Sequence, residues 1–158
     1  MIVEEQENTA GEAPVVATGD APRVLVVEDD PVLLTILTRY LGQRGCCVLR
    51  ASSAAEALEI FAHQPIDVTV SDVRMPGMSG HELLQEVRRR DPEADLILIT
   101  AHSSVKEAVA AIQAGAADYL EKPVDCRRLH HTIQMIVERR RLRQRVRILE
   151  LGGRDSTV

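Results

Sequence analysis

Short apolar runs rich in Val, Ile and Leu punctuate the chain: Val24–Val27, Cys47–Leu49, Val68–Val70, Leu96–Ile99 and a brief Tyr119–Leu120. Val24–Val27 and Leu96–Ile99 are apolar at every position, the pattern of strands covered on both faces of a parallel sheet. Between the runs the period lengthens to that of a helix, and the helical stretches have recognisable starts. Asp30-Pro31 supplies an N-cap with proline at the first helical position, ahead of Val32–Leu41 and a stop at Gly42. Ser53-Ala-Ala-Glu56, Ser79-Gly-His-Glu82 and Ser104-Val-Lys-Glu107 have capping-box spacing. They lead in turn into Ala57, Leu58 and Phe61, into Leu83, Leu84 and Val87, and into Val105, Val109 and Ile112, with Gly115 closing the last. A fifth helix is predicted from around Asp125 past Val146, with Leu129, Ile133, Ile136 and Val137 as the stripe that packs on a sheet.

Five strand–helix repeats predict an α/β fold: a doubly wound, five-stranded parallel sheet with helices on both faces and right-handed crossovers, ending in an extended C-terminal helix. In such sheets ligands bind outside the carboxyl ends of the strands. The first strand ends in Glu28-Asp29-Asp30, the third in Ser71-Asp72 and the fourth in Thr100-Ala101, and the fifth is followed by Lys122-Pro123. Parallel strands bring these groups to one rim. Asp30 is better read as the N-cap before Pro31 than as a ligand. The other carboxylates would repel one another, and a hard divalent cation such as Mg²⁺ resolves the repulsion through oxygen ligands. A lysine opposite the cation neutralises the other side of a phosphoryl group, and a threonine hydroxyl can donate to its oxygens. This chemistry suits phosphoryl transfer, with a carboxylate as nucleophile forming an aspartyl phosphate.

The stretches Val24-Leu-Val-Val-Glu-Asp-Asp30, Val70-Ser-Asp-Val-Arg-Met-Pro-Gly-Met-Ser-Gly80, Leu98-Ile-Thr-Ala101 and Gly115-Ala-Ala-Asp-Tyr-Leu-Glu-Lys-Pro123 resemble the receiver domain of two-component response regulators over residues 22–138. The resemblance implies a flavodoxin-like (βα)5 fold. It implies that Asp72 is the phospho-acceptor and that Glu28, Asp29, Asp72 and the backbone carbonyl of Arg74 hold Mg²⁺. Lys122 would pair with the phosphoryl group, ahead of a cis bond to Pro123. Thr100 would be the switch hydroxyl and Tyr119 the aromatic ring that follows it. Every position needed for phosphorylation is filled; the visible departure is Glu28, where many members carry Asp. The implied partner is a sensor histidine kinase or phosphotransfer protein, and the implied output is a conformation of residues 104–138. The domain would assist only its own phosphorylation and dephosphorylation. Thr100–Asp125 and the long last helix are similar to receivers of nitrogen-regulation-type transcriptional activators. The sequence is compatible both with a single-domain regulator and with the receiver part of a larger one.

Composition changes this picture little. A chain of 158 residues, 45% hydrophobic and 27% charged, has room for one domain and tails. It holds no apolar run long enough to span a membrane and no visible signal peptide, and Cys46, Cys47 and Cys126 read as reduced thiols, so a cytoplasmic location is expected. Charge is uneven. Residues 1–22 carry Glu4, Glu5, Glu7, Glu12 and Asp20 with no Lys or Arg before Arg23, and read as a disordered acidic leader ahead of a receiver at 23–138. Arginines 127, 128, 139, 140, 141, 143, 145 and 147 face a single acid, Glu138, so residues 139–158 read as a basic helical extension and tail. Such runs are more often solvated faces than binding sites. With aromatics at 2%, direct nucleic-acid binding is not expected.

Met135, Leu142, Val146 and Leu149 form a second apolar stripe compatible with two heptads, with Arg139 in the seam and Gly152-Gly153 as the expected stop. A homodimer is expected through this helix or through the face of the fourth helix, fifth strand and fifth helix. An aspartate-nucleophile phosphohydrolase is the rival enzyme reading. It would need a second acid two residues after the nucleophile, where this chain has Arg74. Arg74 and His102 are expected at the pocket rim, His81, His130 and His131 on helix surfaces, and Met75 and Met78 in loop packing.

Overall fold

The computed structural model describes residues 21–157, so the leader expected over 1–22 lies, apart from its last two residues, outside the described residues. Five strands, β1 (Arg23–Val27), β2 (Cys47–Ala51), β3 (Val68–Asp72), β4 (Leu96–Thr100) and β5 (Asp118–Glu121), alternate with five helices. The helices are α1 (Pro31–Gln43), α2 (Ala54–His63), α3 (Gly80–Arg90), α4 (Val105–Gln113) and α5 (Cys126–Thr157). All strand pairs are parallel, in the order β2-β1-β3-β4-β5. This is the flavodoxin-like order, with its reversal between β1 and β3.

The strand period of two divides the core into two layers. Val24, Val26, Val68, Val70, Ile97 and Ile99 face α1 and α5, where Leu37, Leu41, Leu129 and Ile133 meet them. Leu25, Val27, Leu96 and Leu98 point the other way, against Ala57 of α2, Leu83, Leu84 and Val87 of α3 and Ala111 of α4. Both faces are covered, which is why Val24–Val27 and Leu96–Ile99 are unbroken apolar runs. Each large side chain buried this way contributes about 1.5–3 kcal/mol relative to exposure, so these layers hold the fold.

The expected helix starts are in place. The Asp30 carboxylate accepts the Val32 N–H at 3.0 Å, and Ser53 and Ser104 accept the N–H groups of Glu56 and Glu107. Ser79 and Glu82 close a reciprocal box. Asp125 caps α5 by accepting from the Arg127 and Arg128 N–H groups. Within the β3–α3 loop Met75 is buried and Met78 half-buried, as expected.

Two expectations need correction, and one helix shows an orientation its spacing does not announce. α1 does not stop at Gly42 but runs to Gln43, and the chain turns at Gly45, whose φ of 92° is the left-handed conformation glycine tolerates. α5 does not stop at Gly152-Gly153 but continues to Thr157; a helical glycine costs about 1 kcal/mol relative to alanine without blocking the next turn. In α4 the apolar stripe faces outward, with Val105 82%, Val109 49% and Ile112 49% exposed. Its inward side is half-buried Ala108 and buried Ala111, which let the helix lie close to the sheet.

The division expected at 138/139 falls inside one continuous α5. Beyond Val137 an arginine clasp holds this helix. The Asp95 carboxylate, just ahead of β4, meets Arg139 at 3.2 Å, Arg140 at 3.2 Å and Arg143 at 3.8 Å. Arg140 also donates to the Glu93 carbonyl at 3.1 Å, and Arg147 pairs with the Glu93 carboxylate. Four arginines of the basic run are thus turned onto the protein's own acids. No helix among the described residues is long and apolar enough to cross a membrane.

Two measurements check this reading. A Cβ at Gly80 would stand 2.3 Å from the Asp72 carbonyl oxygen and 2.9 Å from the Val73 Cα, both backbone atoms. Gly80→Ala is therefore expected to lower stability by about 1–3 kcal/mol in urea titration. Asp95→Asn is expected to speed amide exchange across residues 139–150 while strand amides stay protected, because the core-facing stripe of α5 ends at Val137.

Candidate functional site

The parallel register fixes where each functional side chain leaves the sheet. Val27 pairs with Ser71, Asp72 with Ile99 and Thr100 with Glu121. Ladder bonds run one residue further: Glu28 N–H to the Ala51 carbonyl (3.0 Å), Val73 N–H to Ile99 (2.9 Å) and Lys122 N–H to Thr100 (2.7 Å). Glu28, Asp72 and Lys122 are thereby anchored by main-chain bonds before any side chain is considered.

The side chains converge. The Lys122 Nζ lies 3.1 Å from Asp72 Oδ2 and 3.4 Å from Glu28 Oε1. One carboxylate oxygen each from Glu28, Asp29 and Asp72 falls within 4.8 Å of the others. Glu28 and Asp72 are buried at 2% and 6% exposure, whereas Asp29 is exposed. The second Glu28 oxygen accepts the Asp30 N–H at 3.0 Å, and Asp72 Oδ1 lies 3.4 Å from the Arg74 N–H. The Lys122-Pro123 bond is cis.

One ammonium for three crowded carboxylates leaves the pocket short of positive charge. Burial pushes the Glu28 carboxyl up to about 7, and the Asp72 charge adds to the shift; the Asp30 N–H and Lys122 pull against it without cancelling it. For Lys122, burial alone would lower the pKa, but the hydrogen bond and charges of Asp72 and Glu28 outweigh it and raise it. The donors are all oxygen and anionic, the set a hard divalent cation takes, and they fit Mg²⁺ in type.

Beside this pocket lies a cleft of about 600 Å³ lined by Arg74, Met75, His81, Thr100 and Glu107 among others. Thr100 is buried, and its hydroxyl accepts the His102 N–H at 3.1 Å and donates to the His102 carbonyl at 3.3 Å. Tyr119 is half-buried; its hydroxyl donates to Glu107 Oε1 at 3.3 Å. Burial raises the Tyr119 pKa, Thr100 opposes the rise and Glu107 adds to it. His81 stacks on the Tyr119 ring with centroids 6.5 Å apart.

The structure brings Glu28, Asp29, Asp72 and Lys122 together and sets Thr100 and Tyr119 at the adjoining cleft. Arg74 lines that cleft, and His102 meets Thr100 through its main chain. Sequence reasoning missed two residues: His81, expected as an ordinary surface histidine, and Glu107, read only as a cap. Glu107 does occupy the cap position, but its carboxylate reaches across to Tyr119, a contact no local spacing announces.

Known proteins of this architecture carry the same sequence signature. The response regulator receiver domain family matches residues 24–134. The DNA-binding transcriptional regulator NtrC of Escherichia coli is 38% identical over 135 residues, 85% of this chain but 29% of that protein. The chain thus spans less than a third of that curated relative. A response regulator receiver domain protein from Clostridium thermocellum superposes with a TM-score of 0.73 at 34% identity, covering 77% of this chain and 98% of that one. The beryllofluoride-activated NtrC4 receiver domain dimer gives 0.71 at 34% identity, covering 74% and 97%. With the family matched over most of its length, the fold in the same strand order and the acidic rim in place, the chain belongs to the response regulator receiver domain family.

Proposed function

We propose that Asp72 accepts a phosphoryl group in a two-component relay and that its phosphorylation switches the surface formed by α4, β5 and the start of α5. The observation that carries this reading is the placement of Lys122 between Asp72 and Glu28, beside the Asp29 carboxylate, at the carboxyl rim. The donor is a phosphohistidine on a sensor kinase or phosphotransfer protein. An Asp72 carboxylate oxygen attacks phosphorus in line; the new O–P bond forms as the N–P bond breaks, and the departing imidazole keeps the electron pair and takes a proton. Asp29, Asp72, the Arg74 carbonyl and, more remotely, Glu28 would hold Mg²⁺. When bound, Mg²⁺ supplies positive charge to the phosphoryl oxygens. Lys122 turns from the carboxylates to a phosphoryl oxygen, and the acyl phosphate later hydrolyses.

Arg74 stands two residues after Asp72, where a phosphohydrolase would need an acid to protonate a leaving group, so the domain assists only its own phosphorylation and dephosphorylation. Thr100, now bonded to the His102 main chain, swings toward the new oxygens. Tyr119 then follows into the vacated space, breaking its bond to Glu107 at the first turn of α4. That local repacking biases the outward apolar face of α4, which suits a cytoplasmic protein partner. The DNA binding named for the Escherichia coli relative belongs to that longer protein; here four arginines of the basic run are engaged by Asp95 and Glu93.

Incubation with a small phosphodonor and Mg²⁺ is expected to add one phosphoryl group, read by intact mass. Asp72→Asn, or omission of Mg²⁺, abolishes the adduct; labelling of Asp72→Asn at the parent rate overturns the reading.

A pH dependence follows from Glu28. In the metal-free protein its carboxyl is raised from 4.5 to about 7, so between these values the folded state keeps a proton that the unfolded chain releases. Its contribution to stability is therefore fully present below 4.5 and lost as pH rises to about 7. Urea titrations in chelator are expected to show Glu28→Gln gaining on the parent across this window, with a constant difference above it.

A further inference from the structure

On its outer side α5 carries an apolar stripe that the described residues leave uncovered: Met135, Leu142, Val146 and Leu149 are 60%, 48%, 51% and 68% exposed. At about 100° per residue, Leu142 lies about 180° round the helix from Ile133, the centre of the face packed on the sheet. Two shallow grooves of about 440 and 380 Å³ run along this stripe and share Arg139 and Leu142. Arg139 and Arg145 stand about 60° to either side of Leu142, so the stripe has a guanidinium on each flank.

The charge on this helix exceeds what the clasp absorbs. From Arg127 to Leu151 eight arginines stand with two acids, Glu138 and Glu150. Adding Asp95 and Glu93, the acids of the clasp, still leaves four positive charges in excess. The chain as a whole has 24 acidic and 19 basic residues, and the surplus has one source. Residues 1–20 hold Glu4, Glu5, Glu7, Glu12 and Asp20 and no base, so everything after them balances at 19 of each sign. The same segment carries apolar pairs, Ile2-Val3 and Val15-Val16, on either side of its glutamates. It is thus acidic with apolar footholds, the complement of a stripe that is apolar with basic flanks.

Topology brings the two together. The Pro22 carbonyl accepts the Cys47 N–H at 2.8 Å, and the Arg23 carbonyl accepts the Asp67 N–H at 2.8 Å. One strand further over, the Asp95 carbonyl accepts the Thr69 N–H at 3.0 Å. The start of β1 and the residue that grips α5 therefore share one edge of the sheet, two strand spacings or about 10 Å apart. From Met135 to Leu149 the helix is about 21 Å long, and ten extended residues cover about 33 Å. Twenty residues reach the stripe with length to spare, and their tether holds them at an effective concentration in the millimolar range. A second copy of α5 would instead set this excess of arginine against itself.

We propose that residues 1–20 of the same chain dock on the outer face of α5 between Met135 and Leu149, with their glutamates on its flanking arginines. The contact lies outside the Asp72 pocket and does not rest on the relay reading. It joins exposed charges, so it is reversible and weakens as salt is added.

Photocrosslinking of the full chain tests it, with p-benzoylphenylalanine placed at Thr9 and the products mapped by peptide mass. In dilute, low-salt solution the crosslinks are expected within one chain and at residues 135–149. Reversing the acids together, Glu4→Arg, Glu5→Arg and Glu7→Arg, is expected to cut that yield about tenfold, and NaCl at about 0.5 M to do the same. Leu142→Glu is expected to lower it as well, with circular dichroism confirming that the helix is retained. Crosslinks scattered over the body, or a yield at 135–149 that ignores either set of substitutions or the salt, overturn the proposal. Products of twice the chain mass joined at 135–149 overturn it in favour of a second copy. None of these substitutions touches the Asp72 pocket, so phosphoryl labelling of each variant at the parent rate separates failure here from failure of the relay reading.

Discussion

The structure depends on one electrostatic imbalance held in place by strand register. Three carboxylates meet one ammonium at the rim, and two of the three are buried. A free chain would relieve such crowding by moving the acids apart. Here Glu28 follows β1, Asp72 ends β3 and Lys122 follows β5, and each backbone is fixed by a ladder bond to its neighbour. Relief is left to a proton on Glu28, to Lys122, or to an added cation. The hydrophobic layers above and below the sheet hold this arrangement: their burial outweighs the repulsion they confine.

The same rim connects to a softer region. β4 is buried along its whole length and is hydrogen-bonded on both sides, so displacement of its backbone is costly. Thr100 is its last residue, and the bonds beyond it are few and long: 3.1 and 3.3 Å to His102, 3.3 Å from Tyr119 to Glu107. The rim is therefore tied to α4 by side-chain bonds that yield more readily than the strand itself. α4 buries little beyond its alanine face, which makes it the element that least resists repacking.

The strands were legible in the sequence because burial on both faces leaves a run without alternation. Glu28, Asp29, Asp72 and Lys122 were legible because parallel strands send their carboxyl ends to one edge whatever the loops do. What remained hidden depends on contact between elements. Helical period in α4 announces a helix but not which side meets the sheet, and alanines won that side over Val105, Val109 and Ile112. His81 and Glu107 gained their places at Tyr119 through the packing of α3 and α4 around β5. Gly42 and Gly152-Gly153 misled for a simpler reason: glycine weakens a helix without ending it unless the backbone turns left-handed, as it does at Gly45.

The basic run shows how a patch of one sign can have an internal meaning. In sequence its arginines face one acid, and Glu93 and Asp95 lie more than forty residues earlier, ahead of a strand that closes the distance. The clasp they form fixes the axis of α5 after its apolar contact with the sheet has ended. From Cys126 to Leu149 a straight helix is about 35 Å long, so a small tilt at the β5–α5 junction would become a large displacement at its far end. With Asp95 gripping the helix midway, such a tilt is resisted by three guanidiniums on one carboxylate. Asp95 and Thr100 sit at opposite ends of the same rigid β4, one holding the extension and the other lining the cleft beside Glu107. The sheet thus gives the extension and the cleft a common frame.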